Sequence, residues 1–563
     1  MRERQRKWIA FGLLLTAAFA FRFYLAHYLP NDTPGDSKVY EQMARNILEQ
    51  HVYSHDSEPP YSPSIIRLPG YALFLSGIYS IFGHYNNTAV RLIQTVLDTL
   101  TCGLVGLIAF YWEPDERRKR AAAIGAVALA AVCPFTAIYV ATVLTETWAS
   151  LLAVTLCLLA TLAVRAKAFR NSLWLWSAVG LVGGVGVFMR PDSGLFVAAV
   201  GLALLVPEVF GWYSSTENVE EKITTGRRLS RVVGKGAVLS AAFVLVLVPW
   251  TVRNWRTFHM FQPLSPTHGE MPGEFVPHGY YTWVRTWLDD RRYIETVLWS
   301  LDDEPIDADD LPANAFDSEQ EKARVVELLD HYNSPADADE TTAAEEPSPS
   351  PTPTPTPMPQ KAGKTGQAAA AKQSPSPGAN DKDKADQSDE DEKDDQEQPA
   401  EPEQPVSPAM TPTIDAAFGQ IARERIARSP GRHYLWLPLK RASSLWFGPH
   451  SDYYPFAGEL FPLTDLDHST HQHIWLPLFT GLVWIYSLLG VAGGWCLWRA
   501  RSFIARRWLL LAVLLIFLRL AFFSTMENPE PRYSVELFPF LAILGGIAIS
   551  RFSSRIITPR QPE

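Results

Sequence analysis

Apolar residues in this chain fall into blocks of about twenty, parted by short polar stretches rich in arginine and lysine. A helix rising 1.5 Å per residue needs roughly twenty such residues to cross a hydrocarbon core of about 30 Å. The blocks that reach or approach this length are Trp8–Leu29, Thr88–Trp112, Ala121–Val140, Val143–Val164, Leu173–Phe188, Gly194–Trp212, Val232–Val252, Ile474–Trp498, Trp508–Phe523 and Tyr533–Ser550. Two further segments predict helices of another kind. In Gly35–Leu48, an apolar stripe of Val39, Tyr40, Met43, Ala44, Ile47 and Leu48 alternates with Lys38, Glu41, Gln42 and Arg45. "RLPGYALFLSGIYSIFG", Arg67–Gly83, is apolar but short, and it opens close to a Pro-Gly pair. Both are expected to lie at the membrane surface.

Basic residues turn these blocks into a topology, because short cytoplasmic loops carry an excess of Lys and Arg. Arg2, Arg4, Arg6 and Lys7 precede the first span and put the N-terminus inside. Alternation then makes 113–120, 165–172, 213–231, 499–507 and the C-terminus inside segments. They hold Arg117 to Arg120, Arg165/Lys167/Arg170, Arg227/Arg228/Arg231, Arg499/Arg501/Arg506/Arg507 and Arg551/Arg555. Counting Arg67–Gly83 as a span would invert every later loop. The expected fold is an all-α polytopic membrane protein of about ten transmembrane helices, N-in and C-in. Two outer juxtamembrane helices and a large outer loop complete it. Cys102, Cys133, Cys157 and Cys496 all fall within spans and read as packing residues rather than disulfides. The first span is too long, and lacks the small-residue cleavage site, for a removed signal peptide; it reads as an anchor.

Composition divides the chain further. A membrane core spans 1–252, with its first outer loop at 30–87, and an aromatic-rich outer segment follows at 253–334. The stretch 335–411 contains "PSPSPTPTPTPMP" and "DKDKADQSDEDEKDDQEQPAEPEQP". Such composition cannot bury enough surface to offset chain entropy, so disorder is expected there. It also supplies much of the net charge of −10, which therefore says little about the remainder. A helical outer segment at 412–473 leads into the C-terminal helices and tail, 474–563. Membrane lipids are the expected surroundings, and no nucleic-acid partner is expected.

Ionisable groups beside membrane spans demand a reason, since each costs roughly 2.5–3.5 kcal/mol at a bilayer's centre on insertion scales. The topology brings many of them to one outer plane: Asp36, Arg67, Glu146, Arg190, Asp192, Arg253, Arg256, Glu527, Glu530 and Arg532. Each has a plainer reading. Asp36 suits an N-cap, Arg190 and Asp192 suit a local ion pair, and arginines near span ends commonly snorkel to headgroups. Asp98 and Arg91 within the second span suit a pair along one helix face, with Arg22 and Arg519 similarly open. Together the groups suit transfer from a phosphate-linked donor. Arginine forks hold phosphate oxygens and stabilise charge on a departing phosphate, and a free carboxylate can take a hydroxyl proton.

The order of motifs resembles the GT-C glycosyltransferases. The nearest likeness is to the bacterial branch related to dolichyl-phosphate-mannose protein mannosyltransferases and to the lipid A aminoarabinose transferases. Those enzymes carry an acid in the first outer loop with a tyrosine four residues on, matched by Asp36 and Tyr40. A basic residue and proline before an aromatic helix match Arg67 in "RLPGYALFLSGIYSIFG". Glu146 in "LTETWA" and Arg190 in "FMRPDSGLF" match a second acid and a later basic position. "PWTVRNWRTFHMF", with Arg253, and "EPRYSVELFPFLA", with Arg532 and Tyr533, resemble the branch's remaining signatures. The likeness covers 1–260 well and 415–550 loosely. Two departures stand out: Ser37 follows Asp36 where relatives often place a second acid, and Ile66 stands where the lipid A transferases have a metal-binding acid. Two other clusters have carboxylate–imidazole chemistry suited to a divalent ion: His268/Glu270/Glu274/His278 and Asp465/Asp467/His468/His471/His473. A metal requirement stays open.

The resemblance implies a membrane glycosyltransferase that moves a sugar from a polyprenyl-phosphate donor to a lipid, glycan or protein acceptor. The reaction would take place on the outer face of a bacterial inner membrane. On that reading Asp36 and Glu146 are catalytic, Arg67, Arg190 and Arg532 hold the donor phosphate, and Tyr40, Arg253 and Tyr533 support them. The alternative is a transporter or lipid flippase with a charged pathway. It predicts an internal repeat and ionisable groups at the midplane, and the sequence shows no repeat.

Overall fold

The computed structural model describes residues 2–30, 35–210, 225–334, 408–460, 470–500 and 502–557. Residues 335–407 of the expected disordered insert, 213–224 of an expected inside loop, and Asp465, Asp467 and His468 lie outside them. Among the described residues every regular element is helical. The first half runs α1 (Arg2–Tyr28), α2 (Asp36–Glu49), α3 (Pro69–Phe82), α4 (Asn87–Trp112), α5 (Lys119–Val132), the four-residue α6 (Pro134–Ala137), α7 (Glu146–Arg165), α8 (Phe169–Met189) and α9 (Gly194–Val209). Then come α10 (Thr225–Phe258), α11 (His278–Arg285), α12 (Glu319–Asn333), α13 (Pro412–Arg428), α14 (Leu437–Phe447), α15 (Thr470–Arg499), α16 (Phe503–Ser524) and α17 (Phe538–Ile557).

Eight of the described helices are long and apolar enough to cross a membrane, and the protein is a multi-pass membrane protein. They coincide with eight of the ten expected spans. The expected span Ala121–Val140 is a pair, Lys119–Val132 and Pro134–Ala141, bent by 53°. Pro134 explains the break, because proline lacks the N–H for the helical ladder and pushes Cys133 into an extended conformation. The expected span Gly194–Trp212 is the 16-residue α9, about 24 Å long, shorter than the hydrocarbon core.

Two buried arginines serve helix ends. Arg22 of α1, fully buried, donates from Nη1 to Ala131 O and from Nη2 to Ala130 O, each at 3.0 Å, at the break. Its Nε donates to Asp98 Oδ2 of α4 at 2.5 Å. Arg91 donates to the carbonyls of Ala26, Leu29 and Pro30, capping the C-terminal end of α1. The expected Asp98–Arg91 pair is therefore replaced. Side chains seven positions apart lie close to one helix face, but the end carbonyls of α1 are the orphan acceptors that the Arg91 guanidinium reaches.

Both surface helices form where the periodicity placed them. Gly35 enters α2 at φ +59°, a conformation that glycine adopts without Cβ strain. Gly70 starts α3 flush against the end of α8, where an added Cβ would stand 2.5 Å from Phe188 O. Tyr71, Leu75, Ile78 and Tyr79 of α3 pack with Ala44 of α2 and Val90 of α4. The helix is thus wedged into the bundle along one side, while Leu73, Ile81 and Phe82 stay exposed.

Outside the bundle, Tyr280, Trp283, Trp287, Val325, Leu329, Phe418 and Ile421 form the core of a lobe built from α11, α12 and α13. The chain leaves this lobe after 334 and is back on it at 408. Ala409 N donates to Tyr332 O at 3.0 Å and Met410 N to Asp302 Oδ1 at 2.7 Å.

Candidate functional site

Asp36 opens α2, yet it is not the cap. The capping position is Gly35, and no side-chain cap bond forms there. Its carboxylate instead accepts from Arg67 Nη2 at 2.8 Å and from Arg532 Nη2 at 3.2 Å. Arg67 lies just before α3, and Arg532 lies in the turn Pro531–Leu537 that leads into α17. Three distant stretches of sequence therefore meet at one carboxyl. Burial pushes the Asp36 carboxyl up, but Arg532 and Arg67 together outweigh it and hold it down at about 2. Asp36 and Arg67 remain about a third exposed, at 29 and 33%.

Arg532 is shared. Its Nε lies 2.6 Å from Glu530 Oε2, and Glu530 also accepts from the Tyr533 hydroxyl at 2.7 Å and Asn528 Nδ2 at 2.7 Å. Tyr40, one helical turn beyond Asp36, meets Tyr71 edge-on at 5.1 Å. Burial pushes its phenol up to about 12, with neighbouring guanidiniums opposing the shift and neighbouring carboxylates adding to it. Those charges are Arg67 and Asp36 together with Arg190 and Glu146, so Tyr40 stands between the two halves of the site.

The deeper half is a closed ion-pair network. Arg190 Nη1 donates to Glu146 Oε1 at 2.7 Å, and Arg190 Nε to Asp192 Oδ1 at 3.2 Å. Arg519 Nη1 lies 2.5 Å from Asp192 Oδ2, and Arg519 Nη2 donates to Glu536 Oε2 at 2.8 Å. Glu536 Oε1 comes within 3.5 Å of Arg190, and Arg519 Nε donates to Tyr533 O at 2.6 Å. Three carboxylates thus face two guanidiniums. Tyr533 joins the halves, with Arg190 at 5.7 Å and Arg532 at 5.4 Å from its ring centre. One carboxylate oxygen has neither a hydrogen bond nor an ion-pair contact among the described residues: Glu146 Oε2, which is buried; Asp192 Oδ2 and Glu536 Oε1 also lack hydrogen bonds but face Arg519 and Arg190. A buried acceptor without a donor carries a desolvation cost and marks where a ligand hydroxyl can bind.

Among the expected site residues, Asp36, Arg67, Arg532, Tyr40 and Tyr533 come together in the outer half, and Glu146 and Arg190 in the deeper one. Arg190 is committed to carboxylates. Arg253 donates to Ser64 O at 2.8 Å and is surrounded by the rings of Tyr53, Trp250 and Phe258. It braces the stretch that carries Arg67. The His268 cluster does not converge as a metal site. His268 Nε2 lies 3.0 Å from Glu527 Oε1, its ring stacks on Tyr281 at 4.7 Å, and no metal-like group of His, Cys, Asp or Glu forms among the described residues. With Ile66 apolar as well, the described residues of this cluster do not form a divalent-ion site.

Sequence reasoning left out the loop 448–459. Tyr453 sits at φ +65° with its ring 5.7 Å from that of Tyr139, and its phenol is close enough to Arg532 to affect it electrostatically. His450 places Nε2 2.8 Å from Ser534 Oγ, and burial drives its pKa down to about 4, so the ring is neutral. A Gly-, Pro- and Tyr-rich run, "GPHSDYYPFAG", was the available signal. For Glu536 the signal was a lone acid in an apolar run.

Residues 62–216, which include Arg67, Glu146, Arg190 and Asp192, match the family model of dolichyl-phosphate-mannose-protein mannosyltransferases. The resemblance drawn from motif order is borne out there, and the GT-C reading with it. No curated protein matches the chain. Among solved structures, this chain is similar to the Archaeoglobus fulgidus oligosaccharyltransferase in complex with Zn and sulfate, at 12% identity and a TM-score of 0.46. That alignment covers 96% of this chain and 49% of the other. It is also similar to AglB of the same archaeon, solved with an inhibitory peptide and a dolichol-phosphate, at 11% identity and a TM-score of 0.46. ArnT from Cupriavidus metallidurans bound to undecaprenyl phosphate matches at 13% identity and a TM-score of 0.35. Here 99% of this chain and 82% of the other are covered. The chain spans about half the length of the archaeal oligosaccharyltransferases it matches.

Proposed function

We propose that this protein is a GT-C glycosyltransferase that moves a sugar from a polyprenyl-phosphate donor to an acceptor hydroxyl at the outer membrane plane. One observation carries the reading: two arginines 465 positions apart converge on the carboxylate of Asp36 in an open, polar corner of an otherwise apolar bundle. Arg67 and Arg532 bind the lipid phosphate as guanidinium forks and neutralise the charge that grows as the sugar leaves. Asp36 takes the acceptor proton. Glu146, oriented by Arg190, offers Oε2 to a sugar hydroxyl, and Tyr40 and Tyr533 wall the space between. The AglB and ArnT structures hold a dolichol-phosphate and an undecaprenyl phosphate, the sugar-free carrier lipids of such donors.

The domain boundaries fit this reading: a catalytic membrane core, 1–252, completed by the C-terminal helices of 474–563, under an outer lobe from 253–334 and 412–473. The site faces the periplasmic side of a bacterial inner membrane. The buried Arg22–Asp98 pair, which a transport pathway would need free, is occupied with the carbonyls of the helix break.

The deciding experiment incubates purified protein with radiolabelled polyprenyl-phosphate sugars and follows label into lipid, glycan or protein fractions. Asp36→Asn is expected to lose transfer by at least a hundredfold at unchanged folding, in line with loss of a positioned base. Full transfer by that variant removes Asp36 as the base. Transport of unmodified lipid with no transfer would sink the enzyme reading.

A further inference from the structure

The two halves of the site differ in how tightly their arginines are held. In the deeper network Arg190, Arg519, Glu146, Asp192 and Glu536 are at most about a tenth exposed, and every guanidinium there is bound between carboxylates. In the outer half Arg67 and Asp36 are about a third exposed, so their pair is reachable from solvent and weak. Arg532 has a second carboxylate partner in Glu530, which it keeps when it turns from Asp36. Among the described residues, Arg67 has only the carbonyl of Ile66, at 3.2 Å, besides Asp36. The same two guanidiniums cannot give their best geometry to a carboxylate and a phosphate at once.

We propose that donor binding releases the base: the lipid phosphate draws Arg67 and Arg532 away from Asp36, and only then does Asp36 accept a proton. The inference rests on the donor reading above and deepens it. Free of donor, Asp36 is locked between two cations and is too weak a base to take a hydroxyl proton. With the donor bound, the acceptor oxygen attacks the anomeric carbon and the bond from that carbon to the phosphate oxygen breaks. The electron pair goes to the phosphate, where the arginines wait, and the hydroxyl proton goes to Asp36. Atoms and charge balance without another reactant. The donor must bind first, and the base is idle whenever no donor is present.

The charged and titratable groups around Asp36 are few. Arg67 faces it from the stretch before α3, Arg532 from the turn before α17, and Tyr40 from its own helix. Lys38, two residues on, is exposed. Beyond Arg532 lie Glu530 and Tyr453, and beyond Tyr40 lie Glu146 and Arg190. None of these replaces the two guanidiniums, so their departure raises the proton affinity of Asp36. A complex that holds more protons than the free protein binds more tightly as pH falls.

The test uses the full chain in nanodiscs and the methyl diester of undecaprenyl phosphate, a monoanion with no titration of its own in the range. Calorimetry in two buffers of different ionisation enthalpy reads affinity and proton uptake at about pH 7 and about pH 5. Wild type is expected to take up protons on binding at the lower pH and to bind more tightly there. Asp36→Asn is expected to take up none, to bind about tenfold more tightly than wild type at the higher pH, and to show little pH dependence. Asp36→Ser should behave the same way, which guards against a folding defect in one variant. Equal proton uptake in wild type and variants, or weaker binding by both variants, overturns the exchange while leaving the donor reading intact. Absence of saturable binding to any of the folded proteins overturns the donor reading and the exchange with it.

Discussion

Replacing Arg22 with methionine tests how the bent span is held. In Arg22→Met, Asp98, 2% exposed, loses its charged partner, and the carbonyls of Ala130 and Ala131 lose their donors. Removing one member of a buried ion pair costs about 3–5 kcal/mol, because the other charge is stranded. Interhelical hydrogen bonds in membranes average only about 0.6 kcal/mol, so two lost carbonyl bonds add about 1 kcal/mol. The expected destabilisation is therefore about 4–6 kcal/mol. Arg22→Met/Asp98→Leu removes the stranded charge and should recover roughly 3 kcal/mol of it. Unfolding by sodium dodecyl sulfate in mixed micelles, followed by tryptophan fluorescence, gives both values. A single variant within about 1 kcal/mol of wild type refutes the pair's role, and so does a double variant no more stable than the single. Transfer activity should fall along with stability. The bend delivers Tyr139, whose carbonyl accepts from Gln94 Nε2 at 3.2 Å and whose ring meets Tyr453.

Two further predictions concern segments outside the bundle. Burial holds the Glu459 carboxyl up at about 7, although Arg291 opposes the shift. A carboxyl raised in the folded state contributes stability that is complete below its unfolded pKa and is lost as pH rises through about 7. Wild type should thus lose thermal stability between about pH 5 and 8, and Glu459→Gln should flatten that slope; parallel profiles would show the assignment to be wrong. Because Ala409 N reaches Tyr332 O, joining 334 to 408 through a short Gly-Ser linker should leave the lobe folded and transfer within about twofold of wild type. A collapse in expression or activity would give the 335–407 segment a role that its composition does not suggest.

Much of the architecture was legible because a membrane imposes a one-dimensional code. Span length, loop charge and helical periodicity located eight crossing helices and both surface helices from local sequence alone. The break at Pro134 was missed for a local reason: apolar content continues through it, and the count of apolar residues ignores the missing N–H. The site was legible only as a list of candidates. Asp36, Arg67 and Arg532 could be named as sharing a plane, but their order of contact could not. The reading of Asp36 as a cap failed because Gly35 already occupies that position.

Sequence alone determined that the chain is a helical membrane protein and which charges gather toward one end of its bundle. Both follow from transfer costs that each segment meets by itself. Tertiary structure alone decided which arginine meets which carboxylate. Arg190 and Arg532 carry the same charge in similar turns, yet one is enclosed by Glu146, Asp192 and Glu536 and the other is shared between Glu530 and Asp36. That division depends on how α3 seats against α8 and how the turn before α17 folds under Arg519. Those contacts join residues hundreds of positions apart, and no local pattern encodes them.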